Sequence, residues 1–410
     1  MTSVGDLAAG LEPAAERHPA GKPLRLTHVT HWTLPKQETA TIQLVQTLSA
    51  LAELGVVVEL LSPRRLWSRP RAPEQLRQAL SAYYGAPCRF RARELPSRIP
   101  GLAGVSRLMH AGLAALGSNS GGADAVHTRD LEAAWLCLKA GRRVVFETYR
   151  LWTRRSAFHR NRLLRLAAQR GFLGIVLHSR YAADCYIADG VPAEKTRAIH
   201  NGFDPGPFAL ARTPPEARRA LGFPESPTVV FLGVIAAHKR IDLLLDAAGQ
   251  TPEIRWILAG DSSLSEALPL VERARALPNV SFPGYVTGDR LASVLQAGDV
   301  LIIPPSADPL QRSGRTVMPL KVFQYLAAGR PILTGEVPDT AELLVQDRNC
   351  VRIPPDDLPA LLENLRALFR DPARRERLGS AARRDAAALT WAARGEAFLA
   401  FLRERLGADR

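Results

Sequence analysis

What most constrains this chain is a rhythm. Short β-branched and aliphatic runs alternate with stretches whose apolar residues recur at helical spacing, and the alternation fills most of the 410 residues. In 40–55, Ile42, Leu44, Val45, Leu48, Leu51 and Leu54 form one helical stripe that ends at Gly55, a plausible C-cap. LRLTHVTHW (24–32) precedes it, and VVVELLSP (56–63) follows it and stops at Pro63. Strand, helix and strand in this order are the unit of a parallel sheet.

The unit recurs. DAVHTRD (124–130), RVVFETY (143–149), GFLGIVLHS (171–179) and TRAIHNGFD (196–204) read as further strands with helices between them. A second series starts at TVVFLGVI (228–235) and continues through IDLLLDAAG (241–249), IRWILAGD (254–261), VSFPGYV (280–286) and VLIIPP (300–305). PLKVFQYLAAG (319–329) then reads as a helix with Pro at its start and Gly past its end. PILTG and CVRIPP complete the strands, and the tail from 356 is helical and Arg-rich. The expectation is an α/β protein of two Rossmann-like domains, 24–204 and 228–385. Residues 1–23 read as a leader without an apolar signal region, 205–227 as a linker with one short helix, and 386–410 as a C-terminal helix packing back toward the first domain. Neither series carries GxGxxG after its first strand, which weighs against a dinucleotide oxidoreductase.

Composition narrows the class. Cys88, Cys137, Cys185 and Cys350 lie far apart, without the spacing of a zinc site or a disulfide framework, so reduced buried thiols in a cytoplasmic protein are expected. No run of apolar residues is long enough to span a membrane. The net charge is +14, and it is uneven: residues 1–200 hold 28 basic and 15 acidic residues, residues 201–410 hold 26 and 25. Ten Arg against two Glu fall within 64–107, and seven Arg with no acid within 150–170. An anionic partner is implied for the first half. RRLWSRPR (64–71) is broken by Pro70 and reads as a loop. Residues 150–170 interleave Arg with Leu, Trp and Phe, and Trp152, Arg154, Arg155 and Arg162 are the candidate membrane or acceptor contacts. That segment is either a helix lying on anionic lipid, with the protein peripheral to the membrane, or a core-facing helix with a solvated Arg face. No nucleic-acid motif is present, and no such partner is expected.

Several segments of the second half resemble retaining glycosyltransferases of the GT-B fold, family 4 type. HNGFDPGPF (200–208) is similar to the family's interdomain Asn-Gly-x-Asp turn. FLGVIAAHKRIDLLLDA (231–247) resembles its first C-domain strand, phosphate loop and helix. MPLKVFQYLAAGRPILTGEVPDTAELL (318–344) is the most specific match, and TWAARGEAF (390–398) resembles the C-terminal tryptophan helix. Together the similar segments run from 171 to 400.

The resemblance implies a donor site between the domains for a nucleoside diphosphate sugar, with no metal or other cofactor. It implies a glycan, lipid-linked or small-molecule acceptor. Lys239 matches the phosphate-binding lysine, with a solvated loop cation as the other reading. Met318, Leu320 and Lys321 stand where the family's backbone meets the phosphates, and Gly284 and Val286 are further candidate donor-binding residues. The family's two glutamates, eight positions apart, are replaced by Thr316 and Gln324. Gln324 can still accept from ribose hydroxyls, without the strength of a carboxylate. The arginine ahead of the lysine is replaced by Val234, leaving Arg240, Arg312 and Arg315 as candidate substitute cations. The histidine near the donor sugar falls at Tyr149, and TLPKQET (33–39) replaces the glycine-rich loop. These departures keep two other readings open: a related protein that binds without turnover, and a sugar-nucleotide epimerase.

Overall fold

The computed structural model describes residues 22–118, 122–305 and 318–408. Two parallel sheets organise them. The first has strand order β3-β2-β1-β4-β5-β6-β7. Its strands are β1 (Arg25–Val29), β2 (Val57–Arg65), β3 (Arg91–Arg98), β4 (Ala125–Thr128), β5 (Val144–Thr148), β6 (Phe172–Leu177) and β7 (Thr196–Ala198). The second sheet runs β10-β9-β8-β11-β12-β13. It contains β8 (Thr228–Leu232), β9 (Arg255–Ala259), β10 (Val280–Ser281), β11 (Val300–Ile303), β12 (Ile332–Gly335) and β13 (Cys350–Ile353). The order reverses between β1 and β4 and again between β8 and β11. Loops diverge at such points, leaving a crevice beyond the carboxyl ends of the strands.

The central strands are buried because helices cover both faces. Val145 and Val176 face one core of the first sheet, while Phe146 and Ile175 face the other. The four cysteines are free and buried. The helix Trp391–Ala408 lies against the helix Thr39–Glu53 and sends Phe398, Phe401 and Leu402 into the first domain's core. The chain therefore crosses between domains twice, and the crossings touch. The Phe203 amide donates to the Leu389 carbonyl at 3.1 Å, and the Trp391 amide donates to Phe203 at 3.2 Å. A Cβ on Gly202 would lie 2.4 Å from the Thr390 carbonyl carbon, so only glycine permits this approach.

Three expectations change. Residues 205–227 are built into the second domain: Phe208 and Ala217 are buried, and Arg218 pairs with Asp299 at 3.0 Å. Strand β2 continues through Pro63 to Arg65, paired with β3 alone at that end. Edge geometry tolerates a residue that cannot donate. The 150–170 segment is a short 3-10 turn at Trp152–Arg154 and a helix at Ala157–Ala167 whose Leu163 and Leu166 are buried in the first domain. Its apolar stripe faces the core, so this helix is not a free interfacial one.

Candidate active site

The carboxyl end of β8 carries the clearest chemistry. After the strand, Gly233 has φ +153°, and a Cβ there would stand 2.7 Å from the Lys321 Nζ. A Cβ on the facing Gly260 would stand 1.7 Å from the Gly233 carbonyl oxygen. The absence of both side chains lets the loops after β8 and β9 touch and leaves room for the lysine. The amide of Gly233 donates to Ala259 at 2.9 Å, and that of Gly260 to Gly284 at 2.9 Å, so three strand-end loops form one backbone floor. Val286, just beyond, is buried.

Lys321 starts the helix Leu320–Ala328, whose Val322, Phe323, Tyr325 and Leu326 are buried. Its Nζ lies 4.1 Å above the Phe231 ring. Burial, and then the charge of Lys239, push the Lys321 amine down to about 7. Lys239 ends the short turn Ala237–Lys239 that follows the same loop. Two lysines thus converge beside the first turn of a helix, where free backbone N–H groups also point. Gln324 lies three residues after Lys321 on the same helical face, half-buried, with no hydrogen bond among the described residues. Met318 is buried and Leu320 half-buried at the helix entry.

Arg240 is not turned to this pair. Its backbone is left-handed (φ 52°), and its guanidinium is held by Asp242 at 3.2 Å and by Asp356. Arg312, Arg315 and Thr316 lie outside the described residues. Sequence reasoning gave Lys321 only a backbone role; the structure adds its side chain as the second cation beside Lys239. The signal in the sequence was its place, two residues after Pro319.

The first domain holds a buried polar cluster at the carboxyl end of β5. Glu147 on β5 accepts from Arg129 at 2.9 Å, from Arg394 of the returning helix at 2.7 Å and from the Tyr149 hydroxyl at 3.1 Å. His127 Nε2 lies 3.0 Å from its other oxygen, and His28 Nδ1 lies 3.0 Å from His127 Nδ1. Burial pushes the Glu147 carboxyl up, but Arg129, Arg394 and His127 together hold it well below its usual range. Burial and then His127 lower His28, so both rings stay neutral over a wide pH range. Tyr149 keeps its proton because burial raises its pKa, and its hydroxyl is committed to Glu147. What it presents outward is ring: the His178 ring packs 5.6 Å from it.

His178 also joins the domains. Its Nε2 lies 3.0 Å from Asp339 of the second domain, which the Ser179 hydroxyl also bonds. Glu342 accepts the Arg180 amide at 3.1 Å and pairs with His200 at 3.1 Å. None of Glu147, Arg394, His178 and Asp339 was anticipated, because each acquires its role only by long-range contact. The candidate acceptor residues are spent locally. Arg154 pairs with Asp189 at 3.0 Å, Arg162 with Glu132 at 3.4 Å, and Arg155 lies 5.1 Å over the half-buried Trp152 ring. Among the described residues no cluster of His, Cys, Asp and Glu could hold a metal ion, and no helix is long and apolar enough to cross a membrane.

Two family profiles match in tandem: Glycosyltransferase Family 4 over residues 40–206 and Glycosyl transferases group 1 over residues 226–371. The chain belongs to this glycosyltransferase family. Each profile falls on one of the two domains, and this is the GT-B fold. A sulfoquinovosyl transferase of Arabidopsis thaliana is 27% identical over 236 residues, which are 56% of this chain and 44% of that protein. The chain thus spans under half the length of that curated relative. A glycosyltransferase from Rickettsia africae superposes with a TM-score of 0.74 at 14% identity, covering 94% of this chain and 99% of the other. The Anabaena HepE protein in complex with UDP-glucose superposes with a TM-score of 0.68 at 16% identity, covering 94% and 100%. Both lysines fall within the part of this glycosyltransferase matched by the group 1 profile, Lys239 on the turn after β8 and Lys321 on the helix Leu320–Ala328.

Proposed function

We propose that this chain transfers a sugar, with retention of anomeric configuration, from a nucleoside diphosphate donor to a glycan, lipid-linked or small-molecule acceptor. The observation that carries the reading is the Lys239–Lys321 pair on its glycine-lined loop. Burial and the charge of Lys239 depress the Lys321 amine, and a diphosphate between the two would relieve it. The HepE protein of the same fold holds UDP-glucose, which supports a nucleotide sugar as the donor class. Same-face attack on the donor leaves the protein mainly the tasks of orientation and of stabilising charge on the leaving diphosphate. The lysines and the helix N-terminus meet that charge, and the reading invokes no metal or other cofactor. Gln324 takes the ribose, and the wall of Tyr149 and His178 borders the sugar.

The test is a titration with a panel of UDP-, GDP- and ADP-sugars. Micromolar binding of one of them, abolished in Lys239→Ala, supports the reading; no binding across the panel ends it. The anomeric configuration of the product, read by NMR, decides retention. Conversion of the donor without any acceptor would mark an epimerase instead, and tight binding with no turnover a partner protein.

A further inference from the structure

The first half's excess of arginine is largely consumed within the fold. Arg71 pairs with Glu94 at 2.7 Å, Arg93 with Glu59 at 3.2 Å, and Arg107 with Asp130 at 3.0 Å. One corner is different. At the carboxyl ends of β2 and β3, the Leu66 amide donates to the Arg98 carbonyl at 3.0 Å. This bond ties the loop after β2 to the turn that leads from β3 into the helix Ala103–Gly117. On the loop, Leu66 and Trp67 are 36% and 72% exposed. At the start of the helix, Leu102, Val105 and Leu108 are 51%, 54% and 55% exposed. They recur every third residue, so they share one side of the helix. Apolar side chains this large, gathered at one corner, mark an interaction surface.

Its charge says what it meets. Residues 64–71 and 98–108 contain six arginines and no acid. Arg65, Arg69 and Arg98 are exposed and have no ion pair among the described residues; Arg98 bonds only the Thr33 hydroxyl, at 3.1 Å. The Arg64 guanidinium instead caps the loop from within, donating to the carbonyls of Arg65 at 3.2 Å, Leu66 at 3.3 Å and Ser68. The loop that carries Trp67 is therefore held in shape. A tryptophan and aliphatic tips on protruding turns, ringed by unpaired guanidinium groups, fit the boundary between acyl chains and anionic headgroups. A protein groove would demand a face; here the apolar groups stand on a loop tip and a helix start.

We propose that this corner docks the protein on an anionic lipid surface, inserting Trp67, Leu102, Val105 and Leu108 while Arg65, Arg69 and Arg98 meet the headgroups. The Arg98–Thr33 bond sets the surface beside the loop after β1, at the first domain's side of the cleft. The inference goes beyond the donor chemistry and does not depend on it.

The experiment is co-sedimentation of the full chain with vesicles of phosphatidylcholine alone and of phosphatidylcholine with phosphatidylglycerol, at low and high salt. The expected result is binding to the second only, weakened by salt. Trp67→Ser with Leu102→Ser is expected to weaken it at least tenfold. Each of Arg65→Ser and Arg69→Ser is expected to weaken it about fivefold, the effect of one cation near an anionic surface. Leu264→Ser, an exposed residue of the second domain, serves as the control and should change nothing. Nucleotide-sugar binding in solution, unchanged in every variant, shows that the fold is intact and keeps the two readings separable. The proposal is overturned if the protein ignores anionic vesicles at low salt. It is equally overturned if the corner variants bind them like the parent, or if a soluble glycan rather than lipid shifts the Trp67 fluorescence.

Discussion

Replacing Lys321 with Met keeps an unbranched side chain out to Cε while removing the amine and its contact with the Phe231 ring. In the free protein that amine titrates at about 7, lowered by burial and then by Lys239. A bound diphosphate favours the protonated form, so protonation and donor binding are linked. Below pH 6 the site is already charged and the donor Kd is flat. Above pH 7 each further unit of pH costs about 1.4 kcal/mol of binding, or close to tenfold. The loss levels off at the value of one lost cation, about 3 kcal/mol, which is reached near pH 9. Isothermal titration with a nucleoside diphosphate sugar, whose phosphates do not titrate in this range, gives the profile directly. The parent should bind on the order of tenfold more weakly at pH 8 than at pH 6, whereas Lys321→Met should bind weakly at both. A flat parent profile from pH 6 to 9, or a Met variant that binds as tightly as the parent, would refute the placement of Lys321 against the phosphates.

Other outcomes follow from the same contacts. Arg394→Met leaves Glu147, Thr47 and two backbone carbonyls of 199–200 short of a buried donor, and should cost about 3–5 kcal/mol in urea unfolding; a cost under about 1 kcal/mol would show that the cluster is not what fastens the returning helix. Acid should destabilise the fold early. His31 and His110 are lowered to about 4, both chiefly by burial, so between about pH 6.5 and 4 the unfolded chain binds more protons and stability falls with pH. At pH 5 each histidine accounts for about 2 kcal/mol, and equal unfolding midpoints at pH 7 and pH 5 would contradict this. Gly260→Ala places a methyl group on the Gly233 carbonyl and should cost at least the upper end of the about 1–3 kcal/mol usual for overpacking, with donor binding lost alongside. Thermal melting and a donor titration check both.

The sequence displayed the buried strands plainly, because β5, β6, β8 and β9 each hold an apolar run, Val144–Phe146, Phe172–Leu177, Val229–Leu232 and Trp256–Ala259, as sheets covered on both faces require. It concealed β3. RARELPSR holds three arginines and a proline and looks like a charged loop, yet as an edge strand it needs only one good face, and Arg93 finds Glu59 on the neighbouring strand. Counting charges along 64–107 could not tell cations spent on buried acids from those left in water. Lys239 drew notice only through the resemblance of 231–247 to the family's strand, phosphate loop and helix. The Lys321 side chain was not legible, because its direction depends on the space that Gly233 leaves, and Gly233 lies 88 positions earlier. The Glu147 cluster was hidden for the same reason: it unites β1, β4, β5 and the returning helix, which only the fold brings together.

The return of Trp391–Ala408 has a consequence for the order of folding. Phe398, Leu399, Phe401, Leu402 and Leu406 belong to a core whose other members precede residue 205. The whole second domain is translated before those side chains are added. The first domain must therefore wait, its sheet uncovered along one helix-wide strip, while the second is free to close. A chaperone that shields that strip, or a short peptide copy of the returning helix supplied in trans, should act on the nascent first domain and leave the second untouched.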